Sequence, residues 1–216
     1  VVPFLRVPWA LSDDDFKIGD PNYFSKFPEA AGKLKIVVWA RLDYELKGID
    51  RLLAGMAVDT LDSENNYHVF IIGPDYAGGK AKLNKRLREL VLEERVTIVG
   101  PEGYTSGDHS PLAMADASVL LSRWDCFPRS LRESLQLGVP VLVSPETHFE
   151  DIVAYFPCGE CASIPDDPTS VNDAIHRLIQ GIATGKYSTQ SFSDARSSLA
   201  ASLLAKSMED YFSKIL

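Results

Sequence analysis

One stretch constrains this chain more than any other: Ser122-Arg-Trp-Asp-Cys-Phe-Pro-Arg-Ser-Leu-Arg-Glu-Ser-Leu-Gln-Leu-Gly-Val-Pro-Val-Leu-Val-Ser144. It reads as a strand end, a tight loop, a helix, a turn and a second strand. Pro128 stands where the first helical residue is expected, since its fixed φ suits that position and its missing N–H costs nothing there. Arg129 to Leu137 has helix-forming composition, Gly138 ends the helix, and Val139 to Val143 is a short buried-strand run. The first N–H groups of such a helix, those of Arg129, Ser130 and Leu131, have no partner within it, so they point into the loop and form an anion site. One carboxylate, Asp125, precedes that site, and a second, Glu133, lies a helical turn beyond it.

These residues resemble the E-x7-E signature of retaining GT-B glycosyltransferases of the group 1 (GT4-like) type. Asp125 and Glu133 keep the spacing of the two acids, and Gly138-Val-Pro-Val141 matches the turn and strand that follow. Asp125 stands where the pattern has Glu, and Cys126 where it has Gly. The resemblance spans about Lys33 to Leu216. It implies the C-terminal half of a GT-B fold, an α/β Rossmann-like domain that binds a nucleotide-sugar.

The rest of the chain fits an α/β reading independently. Lys35 to Ala40, Tyr67 to Gly73, Val96 to Gly100 and Ala117 to Leu121 are apolar runs of buried-strand type. Between them lie amphipathic segments. One follows Gly48 with Ile49, Leu52, Leu53 and Met56 on one face, and a charged one runs from Lys80 to Glu94 with Leu83, Leu87, Leu90 and Val91 inward. His109 to Asp116 and Thr147 to Ala154 read as short helices. Ala162 to Ile164 reads as an edge strand, and Asp167-Pro168 opens a helix through Ile182. Strands alternating with helices at short spacing imply a parallel sheet with helices on both faces. Ligands then bind outside the carboxyl ends of the strands, where Arg41, Gly73, Gly100, Arg123 and Ser144 all fall. The expected organisation is an irregular arm and linker over 1–33, the Rossmann-like domain over 34–186, and C-terminal helices over 187–216 that pack back toward an N-terminal domain. Val1-Val2-Pro3 is similar to the strand that enters this half of a GT-B enzyme. The chain opens without Met and reads as a piece of a longer one.

Charge and cysteine usage narrow the function. A formal net charge of −8 argues against a nucleic-acid partner. No apolar run reaches the roughly 20 residues needed to span a bilayer, and membrane association of a longer parent stays open. Three cysteines suit a reducing, cytoplasmic setting better than a disulfide scaffold. Cys158-Gly-Glu-Cys161 lacks the further ligands of a zinc site, and it follows Pro157 where a redox motif would open a helix. There is no phosphate-binding P-loop and no G-x-G-x-x-G, which weighs against an NTPase or dinucleotide enzyme. His109 and His148 have no sequence partners that would make a nucleophilic triad.

A second constellation lies at Ala40-Arg41-Leu42-Asp43-Tyr44-Glu45-Leu46-Lys47-Gly48, one residue longer than the family's G-R-L-x-x-x-K-G segment. The resemblance puts Arg41 and Lys47 on the donor diphosphate, where fixed cations and helix N–H groups stabilise the charge that builds on a departing nucleoside diphosphate. By themselves both residues also read as solvated loop charges. Glu133 would accept from the ribose hydroxyls; alone, it reads as an exposed i,i+4 ion pair with Arg129. Asp125 would meet the donor sugar, or would simply favour the helix dipole. The resemblance puts the backbone from Phe127 through Pro128, Arg129, Ser130 and Leu131 on the donor, and the base near Gly100. Arg123, Arg129 and Arg132 form a local basic cluster. The implied activity is retaining hexosyl transfer from a UDP-, GDP- or ADP-sugar without a metal or other cofactor, the acceptor being held by an N-terminal domain. A non-catalytic docking module and half of a sugar-nucleotide epimerase are the other readings the residues allow.

Overall fold

Every expected apolar run pairs with a parallel neighbour. The strands are Leu34–Trp39 (β1), Tyr67–Ile72 (β2), Val96–Val99 (β3), Ala117–Leu120 (β4), Val141–Val143 (β5) and Gly159–Cys161 (β6). They form one sheet in the order β3-β2-β1-β4-β5-β6. The computed structural model describes residues 16–58, 66–103, 107–125 and 128–199. The helices are Ile49–Ala57 (α1), Gly79–Leu90 (α2), Ser110–Ala113 (α3), Arg129–Leu137 (α4), Glu150–Tyr155 (α5), Pro168–Ala183 (α6) and Thr189–Ser198 (α7). This is the expected Rossmann-like α/β fold.

Helices cover both faces, which is why the strands are apolar throughout instead of alternating; all six residues of β2 are buried. On one side Ile36, Val38, Val69 and Ile71 pack with Leu52, Leu53 and Met56 of α1 and with Val171, Ile175 and Leu178 of α6. On the other, Val37, Phe70 and Ile72 pack under Tyr23, Phe24 and Leu112. A third cluster joins α4, α5 and α7 through Leu131, Leu135, Phe149, Phe192 and Ala195. Strand order reverses between β1 and β4, which is where a crevice forms at the carboxyl edge of such a sheet.

Several expectations shift. The arm is not wholly irregular: Tyr23–Lys26 and Pro28–Ala30 form 3-10 turns. Phe24 and Phe27 pack against Phe70, tilted and edge-on, at 4.6 and 5.0 Å between centroids, and that burial orders a segment with no periodicity of its own. Helix α2 stops at Leu90, because Val91 takes a left-handed conformation at φ 56° and stands 82% exposed, while Leu92 turns inward in its place. The edge strand is Gly159–Cys161, not Ala162 to Ile164: β5 offers three residues to pair, and the register ends at Val143 opposite Cys161. Pro128 is the N-cap, one residue before the helix, with ψ at 139°. The Thr147 segment splits into a 3-10 turn, Pro145–Thr147, and α5. Of the expected closing helices, α7 packs on α4; residues 200–216, like Val1-Val2-Pro3, lie outside the described residues.

Candidate functional site

Two loops build the cleft. One leaves β1 as Arg41 to Lys47, and the other leaves β4 as Ser122 to Asp125. The Arg123 amide donates to the Leu46 carbonyl at 2.9 Å, joining them. Gly48 permits the close approach: its φ is 64°, and a Cβ there would run into the Leu121 carbonyl. Arg51, 5% exposed on α1, reaches under the second loop. Its Nη1 donates to the carbonyls of Leu121 and Ser122 at 3.0 and 3.3 Å, while Nε and Nη2 grip Asp166 at 2.8 and 2.9 Å. Burial works to lower the guanidinium pKa, but the bonds and charges of Asp166 and Glu146 hold it above its usual value.

The loops and the start of α4 enclose a cleft of about 590 Å³, within the roughly 300–1,000 Å³ typical of small-molecule sites. Arg41, Lys47, Asp125, Pro128, Arg129, Ser130 and Glu133 all line it. No side chain caps α4, so its first N–H groups remain open to an anion. Leu131 contributes backbone at most, since its side chain is 1% exposed in the core. Gly100 does not line this cleft; it follows β3, and β2 lies between β3 and β1. Phe127 and Cys126 lie outside the described residues.

Lys47 Nζ forms an ion pair with Asp125 Oδ2, each side chain 18% exposed. Lys47 and Asp125 are therefore one unit. Arg41 is held by Asp43 at 3.3 Å and lies over the Tyr76 ring at 4.3 Å. The Glu133 pair with Arg129 exists, at 2.7 Å, but it is not an exposed pair on both sides. The Glu133 side chain is only 9% exposed, whereas that of Arg129 is 70%. The basic cluster disperses: Arg123 is bidentate on Asp50 at 2.7 Å for both bonds, and only Arg129 of the three lines the cleft.

Two residues of the cleft carry no sequence signal. Trp39 Nε1 donates to Glu133 Oε2 at 3.1 Å, and His109 Nε2 lies 3.7 Å from Glu133 Oε1. His109 thus meets a carboxylate 24 residues away in sequence, which only the tertiary fold arranges. Its backbone N–H donates to the Lys17 carbonyl at 2.8 Å and its ring meets Phe16 edge-on at 4.8 Å, so the arm props it in place. The C-x-x-C pair is remote from this chemistry: burial pushes the Cys158 thiol up to about 12 and, with Glu150 and Glu146, the Cys161 thiol up to about 11. Both stay protonated at neutral pH. Among the described residues no group of three or more His, Cys, Asp or Glu is placed to hold a metal ion, and no helix is long and apolar enough to cross a membrane.

A parallel sheet with an open helix N-terminus and cations at its strand-order reversal defines a Rossmann-like domain with an anion-binding crevice. Residues 20–187 match the family of group 1 glycosyl transferases, and the chain belongs to it. Solved structures share the fold at low identity. WaaG, a glycosyltransferase involved in lipopolysaccharide biosynthesis, superposes with a TM-score of 0.69 at 18% identity, over 93% of this chain and 54% of its own. HepE of Anabaena, solved in complex with UDP and glucose, gives 0.71 at 16%, over 92% and 53%. Sucrose-phosphate synthase of Thermosynechococcus elongatus gives 0.70 at 18%, over 93% and 49%. The chain spans about half the length of these structures. A sequence search of curated proteins found no match.

Proposed function

We propose that this chain is the donor-binding half of a glycosyltransferase that moves a hexosyl unit from a nucleoside diphosphate sugar with retention of configuration and without a metal cofactor. The observation that carries the reading is the convergence, in one cleft, of the open α4 N-terminus with Arg41, Lys47, Asp125 and Glu133. The UDP bound by HepE supports the donor class. In this reading the α4 amides, Arg41 and Lys47 take the diphosphate. Their positive charge is fixed before reaction, so the departing diphosphate gains stabilisation as its charge grows, without reorganisation. Glu133 accepts from the ribose hydroxyls, and Asp125 meets the sugar beside Lys47. The acceptor belongs to an N-terminal half.

Thermal melting with UDP, GDP and ADP tests this. A ligand at one hundred times its Kd adds about 2.7 kcal/mol of stability, which raises the melting temperature by about 5–10 °C for a domain of this size. One of the three nucleotides should do so, with the shift intact in EDTA. A flat response to all three at millimolar concentration rejects the donor site.

A further inference from the structure

Glu133 is the one cleft acid whose side chain is held from the sheet. It projects from α4, and its Oε2 receives the indole N–H of Trp39, the last residue of β1, at 3.1 Å. Its Oε1 receives Arg129 Nε at 2.7 Å, from a side chain that is 70% exposed, so solvent screens that end of the pair. His109 Nε2, at 3.7 Å from Oε1, is beyond hydrogen-bond range. The indole differs from both. It is neutral, it donates a single N–H and accepts nothing, and it hangs on two side-chain torsions from a strand paired on both sides. An ionised carboxylate offers about four acceptor positions. Trp39 occupies one on Oε2 and Arg129 one on Oε1, which leaves capacity on each oxygen for a ligand hydroxyl.

We propose that Trp39 is a positioning residue: its indole N–H fixes the Glu133 carboxylate so that the free acceptor positions of its two oxygens meet the vicinal hydroxyls of the donor ribose. The inference rests on the ribose role given to Glu133 above. It explains why a large aromatic with a polar handle ends β1 at the cleft, where an aliphatic side chain would fill the space but leave the carboxylate free to rotate.

Calorimetric titration of the full chain tests it, with UDP (or GDP or ADP, whichever gives the largest melting shift) and with inorganic pyrophosphate, which has no ribose. Trp39→Phe keeps the ring and removes the donor. It should weaken nucleotide binding about tenfold, the scale of one hydrogen bond to a charged group, and leave pyrophosphate binding within about twofold, a change too small to count as a lost hydrogen bond. Trp39→His returns a ring N–H and should recover part of the loss; it also serves if the Phe variant does not fold. Equal weakening of both ligands in the Trp39 variants would make the residue purely structural and overturn the proposal. So would an unchanged nucleotide affinity in Trp39→Phe while Glu133→Gln weakens it. If Glu133→Gln itself leaves the nucleotide affinity unchanged, the ribose reading fails and the proposal with it.

Discussion

The Lys47–Asp125 ion pair makes a definite prediction about how two site residues depend on each other. Lys47 carries three N–H donors and spends one on Asp125, so the others remain for phosphate oxygens. Replacing Lys47 with Ala removes charged hydrogen bonds and should weaken diphosphate binding by ~1.5–3 kcal/mol. It also leaves Asp125 as an unneutralised anion facing the diphosphate. Two like charges about 8 Å apart at an effective dielectric near 20 repel by about 2 kcal/mol. With both side chains 18% exposed, solvent and salt lower that to about 1 kcal/mol. Asp125→Asn therefore has opposite backgrounds. With Lys47 present, it unties the lysine, costing side-chain order, but also frees its full charge, and the two effects cancel. With Lys47 already Ala, it only removes repulsion and should tighten binding by about 1 kcal/mol, roughly fivefold. The assay is a double-mutant cycle by calorimetric titration with the nucleoside diphosphate, with melting curves to show that all four proteins fold. The expected coupling is at least about 1 kcal/mol. Additivity within about 0.5 kcal/mol would refute the reasoning and make the pair a surface contact that does not touch the ligand.

Two further predictions concern stability. His68 is fully buried on β2, its Nε2 2.8 Å from Thr97 Oγ1, and burial, followed by Lys33 and Arg95 and opposed by Glu29, lowers its pKa to about 4. The unfolded chain binds the proton near 6.5, so the contribution of His68 is complete above that pH and is lost as pH falls toward 4, on the order of 3 kcal/mol in total. Denaturant titrations of the wild type and His68→Gln should diverge in slope between pH 6.5 and 4, and parallel curves would count against the assignment. Arg51→Met should destabilise the fold by about 2–4 kcal/mol, because the Leu121 and Ser122 carbonyls lose a buried donor. Thermal melting should register a drop of about 5–10 °C, and an unchanged midpoint would mean that water takes over both carbonyls.

Much of this protein is written locally in its sequence. Continuous apolar runs such as Tyr67 to Ile72 are legible as doubly covered strands, because a residue's tendency to leave water does not depend on distant partners. The spacing of Ile49, Leu52, Leu53 and Met56 puts them on one helix face, and all four are buried. The same holds for Gly138, whose positive φ of 73° closes α4 at a residue with no Cβ to oppose it. Cations and acids at strand ends converge because parallel strands place all their carboxyl ends on one edge, so a local reading of direction carries the cleft with it. What only the tertiary structure decided is which groups pair there. The junction of Lys47 with Asp125, of Trp39 with Glu133, and of Arg51 with the β4 loop joins residues 78, 94 and 70 positions apart. Neither spacing nor composition encodes such partners, because each contact exists only once the sheet order sets β1 beside β4. The arm shows the same limit, since Tyr23 and Phe24 have no pattern that predicts order until Phe70 gives them a surface to bury against.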